Sequence, residues 1–154
     1  MRQSQEDDVA LVTEPGVNVE AVNVETRRDA DGVTVFTSSL GAGPQDMVRA
    51  FAAFIHRGPT PLVLWDLRQN SFSGFTADEL GWLARQLAAI GRSDRPTGWS
   101  AFVVARDEEH AVVQSLIRQA EIEGHLVQRR VFRSVDAARA WLLGHSSASP
   151  ASTS

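Results

Sequence analysis

A strand, loop and helix written in succession three times limits what this chain can fold into. The clearest copy runs from Pro61 to Leu80. A buried strand (Leu62-Val63-Leu64-Trp65-Asp66-Leu67) gives way to a polar loop from Arg68 to Phe75 and then to a helix opened by Thr76. The pattern returns from Trp99 to Gln119, and more weakly at the end of the chain. A strand apolar on both faces belongs inside a parallel sheet covered by helices. Strands alternating with helices predict an α/β fold with right-handed crossovers. The end of such a strand, where it meets a helix N-terminus, is where open α/β sheets place binding surfaces.

The front of the chain differs. Val17 to Thr26 alternates apolar and polar residues, the period of a half-buried strand, and its phase slips near Ala21-Val22, which suggests a bulge. Asp29-Ala30-Asp31-Gly32 reads as a turn, and Val33 to Ser38 as the returning strand, so an antiparallel hairpin is expected. Gly41-Ala42-Gly43-Pro44 then leads into a helix with Met47, Phe51, Phe54 and Ile55 on one face, ended by Gly58-Pro59.

Thr76-Ala77-Asp78-Glu79 has the form of a capping box. Its helix points Leu80, Leu83, Ala84, Leu87 and Ile90 inward, with Gly91 as the expected stop. Ala101 to Ala105 is the next strand. Asp107, Glu108 and Glu109 open the next helix, where the macrodipole favours acids. That helix buries Val113, Leu116, Ile117 and Ala120 and ends at Gly124. Leu126 to Phe132 is the last strand, and Ser134 or Asp136 caps a short helix through Trp141-Leu142. The expectation is a mixed, mostly parallel sheet of about five strands with four helices. Residues 1–16 are expected to be irregular or disordered, 17–143 to form one domain, and 144–154 to be a disordered Ser-rich tail.

Composition narrows function by exclusion. The 154 residues suit a single domain. A formal net charge of −4 gives no electrostatic footprint for nucleic acid. No apolar run reaches the roughly 20 residues that span a bilayer. The polar, acidic start is no signal peptide, so a cytoplasmic protein is expected. The chain has no Cys, which removes thiolate nucleophiles, disulfides and cysteine zinc sites. All fifteen basic residues are Arg, which removes Schiff-base chemistry and the phosphate-loop lysine. Four His, the carboxylates and the hydroxyls remain, and no cofactor is expected.

The element order resembles the STAS fold of anti-sigma-factor antagonists, and most of all the bacterial SpoIIAA-like proteins grouped with STAS and CRAL-TRIO-type domains. Three stretches carry the resemblance, which covers roughly Val19 to Leu142. They are the strand Leu62 to Leu67 with its apolar-Asp-Leu end, the loop and helix from Ser71, and the closing Val131-Phe132-Arg133-Ser134-Val135-Asp136-Ala137-Ala138-Arg139-Ala140-Trp141-Leu142. The family's switch is a phosphorylated hydroxyl within Asp-Ser-Ser/Thr-Gly. Setting its Gly on Gly74 puts Ser71 at the Asp, Phe72 at the phosphoacceptor and Ser73 at the next hydroxyl. The acceptor is thus an aromatic here, and Ser71 or Ser73 is left to replace it.

Several residues stand out as site candidates. Ser71, Ser73 and Thr76 form either an anion or phosphorylation site at a helix N-terminus, or a set of turn hydroxyls with one cap. Asp66 and Arg68 face a ligand or partner, or serve the loop's own backbone. Asp107, Glu109 and His110 could join Asp66 in a metal or acid–base site, though their spacing matches no known ligand pattern. Trp82 lies off the Leu80/Leu83/Leu87 face and, with Phe72 and Phe75, is expected to form an exposed apolar patch. Arg129, Arg130, Arg133 and Arg139 meet either an acidic partner or solvent. The reading is a non-enzymatic regulatory or protein-interaction module, which binds a protein or its own copy through Asp66, Arg68, Ser71, Phe72, Ser73, Phe75 and Trp82. The alternatives are a carrier of a small apolar, lipid-like ligand, or a hydrolytic or metal-dependent enzyme using Asp66, Asp107 and His110.

Overall fold

The first turn is built by Asp29. Its Oδ1 accepts from the backbone N–H groups of Asp31 (3.0 Å) and Val33 (3.1 Å), and Gly32 supplies the φ of +85° that reverses the chain. On either side lie β1 (Val24–Arg28) and β2 (Thr34–Ser38), paired antiparallel. The computed structural model describes residues 23–70, 72–95, 97–124 and 127–152. The phase slip at Ala21-Val22 and the segment 1–16 lie outside these.

Helix α1 (Pro44–Arg57) follows, with Pro in its first turn and the Asp46 carboxylate accepting from Gly43 N–H at 2.9 Å. It buries Met47, Ala50, Phe51 and Phe54. Strand β3 (Leu62–Asp66) then lies parallel to β2, with Trp65 opposite Phe36 and the two rings stacked at 4.2 Å. One 3₁₀ turn (Phe72–Gly74) precedes α2 (Ala77–Asp94). Strand β4 (Trp99–Val103), α3 (Asp107–Ile122), β5 (Gln128–Phe132) and α4 (Val135–Ser152) complete the fold.

The five strands stand in chain order in one mixed sheet, β1 antiparallel and the rest parallel. The protein is therefore α/β, with a leading hairpin and four helices. Three right-handed crossovers stepping the same way leave α1, α2 and α3 on one face of the sheet. Strand alternation sends Phe36, Val63, Trp65 and Val131 to that face, and Val35, Leu64, Ala101 and Val103 to the other. There α4 covers them with Ala138 and Leu142, both fully buried.

Two expectations about helix ends are corrected. Gly91 does not stop α2, which continues to Asp94, where Arg95 N–H closes on Gly91 O at 2.8 Å. Gly91 has no positive φ, and a glycine inside a helix costs only about 1 kcal/mol. The last helix, α4, expected to close through Trp141-Leu142, runs on to Ser152. It gains an anchor in His145, whose ring stacks on Trp99 at 4.9 Å and meets Trp141 edge-on at 5.0 Å. Among the described residues, no helix is long and apolar enough to cross a membrane.

Candidate functional site

The carboxyl end of β3 is closed by its own neighbours. Leu67 N–H donates to Val103 O at 2.8 Å, which keeps the chain on β4 one residue past the strand. Arg68 then turns back on Asp66, with Nε to Oδ1 at 2.9 Å and Nη2 to Oδ2 at 2.8 Å. This two-pronged bond holds the Asp66 carboxyl below its ordinary value, helped by Arg68 N–H and by the charge of Arg27 against an opposing desolvation. Asp66 is therefore a charged, occupied acceptor and a poor general base.

Asn70 fixes the loop that follows. It is 2% exposed, and its Nδ2 donates to Ser38 Oγ (2.9 Å), Ala42 O (3.3 Å) and Ser39 O (3.4 Å). These bonds tie the loop to the end of β2. The 3₁₀ turn next sends Phe72 into the core, where it lies edge-on to Phe75 at 5.3 Å. The expectation that Phe72 belongs to a surface patch is corrected: its ring is only 2% exposed. Phe75 and Trp82 are half-buried and pack against the same core, so they do not stand clear of the surface. Among the described residues the large hydrophobics that stand exposed are Leu40 and Ile122. Ser71 and the side chain of Ser73 lie outside the described residues.

Thr76 caps α2 in the expected reciprocal way. Its Oγ accepts from Glu79 N–H at 3.1 Å, and Glu79 Oε1 accepts from Thr76 N–H at 2.8 Å. The N-terminus of α3 is less expected. Asp107 pairs with Arg133, while Glu109 turns inward, is 2% exposed and is held on one oxygen by Arg106 Nη2. Its other oxygen, Oε1, has no partner among the described residues. Among the described residues no group of three or more His, Asp and Glu could hold a metal ion. Asp66, Asp107 and His110 thus make no metal site, and both acids are already engaged by arginines.

The sequence reading missed a cavity of ≈ 70 Å³ between α2, α3 and the sheet. Leu83 and Leu87 of α2, Val113 and Ile117 of α3, and Phe102 of β4 form much of its apolar wall. Arg95, Ser100 and Arg129 make the polar part. Arg95 is 4% exposed and donates to Thr60 O, Pro61 O, Trp99 O and Ser100 Oγ at 2.9–3.1 Å, with its guanidinium 6.0 Å from the Phe54 ring. Burial, and then the charge of Arg129, push Arg95 down to about 10. Burial pushes Arg129 down to about 10 as well, against the pull of Glu121. Both stay cationic at neutral pH. Strand parity could have found Arg129, since it lies two residues before the inward Val131.

No protein-family model, curated protein or solved structure matches the chain.

Proposed function

We propose that this domain is a non-enzymatic, STAS-like regulatory module that docks a protein partner through loop 68–75 and the start of α2. The observation that supports this most is the anchoring of the loop's described residues. Its Arg68 is folded onto Asp66, its Asn70 is bonded to three groups at the end of β2, and its Phe72 is sunk in the core. A partner that meets such a surface loses little to loop ordering. Arg68, Gln69, Thr76 and Asp78 are its exposed polar groups, with Phe75 and Trp82 half-exposed beside them. A hydroxyl here, Ser71 or Ser73, is the proposed phosphorylation point, where added charge would change the docking face.

The test compares wild type with Trp82→Ala, Arg68→Glu and Leu83→Ala in affinity capture from the source cells. Trp82→Ala and Arg68→Glu should each lose the wild-type partner, Arg68→Glu with the melting temperature within a few degrees and Trp82→Ala with a smaller loss of stability than Leu83→Ala. Leu83, 1% exposed, should instead cost about 2–5 kcal/mol of stability. Undiminished capture by both surface variants ends the docking reading. Intact-mass measurement of the same material reads the phosphate directly.

A second reading, a carrier of a small apolar ligand, is favoured by the cavity. At ≈ 70 Å³ the space is about half that of an engineered apolar cavity that takes up benzene, so it suits a compact molecule better than a lipid.

A further inference from the structure

We propose that β1 is a dimerisation edge: two copies of the chain join their β1 strands antiparallel about a two-fold axis at Thr26, and one sheet continues into the other. β1 ends the sheet and, among the described residues, pairs only with β2. The hairpin register tells which of its groups face outward. Ser39 N–H donates to Asn23 O and Asp29 N–H to Val33 O, so Asn23 and Asp29 turn their backbone toward β2. Residues of an antiparallel strand alternate in this respect, which aims the N–H and C=O of Val24, Thr26 and Arg28 away from the sheet. Such an edge is a template for another strand, and natural edges are blunted by proline, by bulges or by charge that repels a partner. β1 has no proline and pairs with β2 without a bulge. Its charges attract a copy instead of repelling it. With the axis at Thr26, Val24 falls opposite Arg28 of the second copy, and Glu25 opposite Arg27. The ladder bonds run through Val24, Thr26 and Arg28. Glu25 and Arg27 then take the close, non-hydrogen-bonded positions, with Cα atoms about 4.5 Å apart, and the axis makes that pair twice. Both side chains are exposed and, among the described residues, neither makes an ion pair or a hydrogen bond; Arg27 reaches Asp66 through charge alone. The far edge of the sheet lacks this fit, since a two-fold at the middle of β5 sets the exposed Arg130 against its own copy. No residue of loop 68–75 takes part, so dimerisation and partner docking are separable.

Sedimentation equilibrium of the full chain, carried up to about 1 mM, reads the dimer. Wild type should dimerise, and more weakly as salt is added. Glu25→Arg sets an arginine against Arg27, and Arg27→Glu sets a glutamate against Glu25. Each variant alone should dimerise at least about tenfold more weakly than wild type. An equimolar mixture of the two restores both opposite-charge pairs and should associate like wild type, which also shows that each variant is folded. Thr26→Pro removes an outward N–H, keeps the bonds to β2, and should be monomeric with wild-type circular dichroism. A wild type that stays monomeric throughout overturns the proposal, and slow exchange of the Thr26 amide in that monomer would assign the edge to the chain's own leading residues. A dimer indifferent to both single charge changes, or a mixture that associates no better than its parts, overturns β1 as the interface.

Discussion

Arg139 of α4 reaches 110 residues back along the chain to the Asp29 carboxylate, and its second nitrogen takes Asp31 at 2.6 Å. One guanidinium thus clamps the last helix to the turn that opens the sheet. Burial alone would raise the Asp29 carboxyl. The Arg139 bond and the N–H groups of Val33 and Asp31 outweigh it and leave Asp29 below its ordinary value. A carboxyl with a lowered folded-state value stabilises the protein above its unfolded value, near 3.8, and that contribution vanishes as pH falls through the folded value. Arg139→Ala should therefore cost about 1 kcal/mol at neutral pH and less at pH 2. Urea unfolding of both proteins at the two pH values measures this. An equal deficit at both would mean that the loss is packing, not charge.

Asn70 carries more of the fold than its place in a loop suggests. Asn70→Ala takes the donor from Ser38 Oγ and Ala42 O, while Ser39 O keeps the Ala42 N–H, and should cost about 2–3 kcal/mol. Asn70→Asp should be worse, since it turns a carboxylate oxygen toward those carbonyls. Equilibrium denaturation measures both. An Asp variant as stable as wild type would mean that the amide is not the donor.

Glu109 is buried, while its partner Arg106 is half in solvent. Glu109→Met removes the buried charge together with the unpartnered Oε1, and should leave stability within about 1 kcal/mol or raise it. Arg106→Ala keeps the buried carboxylate and removes its partner, so it should be clearly the less stable of the two. The reverse order in thermal unfolding would contradict this account of the pair.

Gly98 approaches the chain too closely for a side chain. At its φ of +141° an added Cβ would meet Pro61 O at 2.8 Å and Arg95 Nη2 at 2.9 Å. Gly98→Ala should cost about 1–3 kcal/mol through backbone strain alone, and more through displacement of Arg95. Calorimetry of this variant beside Gly124→Ala separates the two effects. Gly124 also has a positive φ, +88°, but no atom of the described residues would lie within 4 Å of its added Cβ. Equal losses would mean that the clash with Pro61 and Arg95 relaxes freely.

Much of the architecture was legible because it rests on local chemistry. The Thr76–Glu79 box, Pro44 in a first turn, Gly32 in the hairpin and the all-apolar Leu62 to Trp65 each act on residues close in sequence. The misreadings share a different cause. Gly91 reads locally as a stop, but Arg95 beyond it is bonded to Thr60 and Pro61, 35 and 34 residues away. Composition assigns His145 to a tail because it does not show that Trp99 lies beside it. Helical periodicity sets Trp82 off the Leu80/Leu83/Leu87 face and says nothing of Phe72, which precedes α2, yet both rings pack on the core. The cavity was invisible for the same reason: its polar lining joins Arg95, Ser100 and Arg129 from three elements.

The strand order also bears on how the protein is made. Each strand pairs with the one synthesised just before it, so the sheet can lengthen as the chain leaves the ribosome, with little loop to close at each step. Helices α1 to α3 arrive in turn to cover one face. The other face, with Val35, Leu64, Ala101 and Val103, meets water until α4 has been translated. During that interval the nascent domain presents a sticky apolar sheet of the kind that chaperones engage. Arg139 and Leu142 end that exposure together.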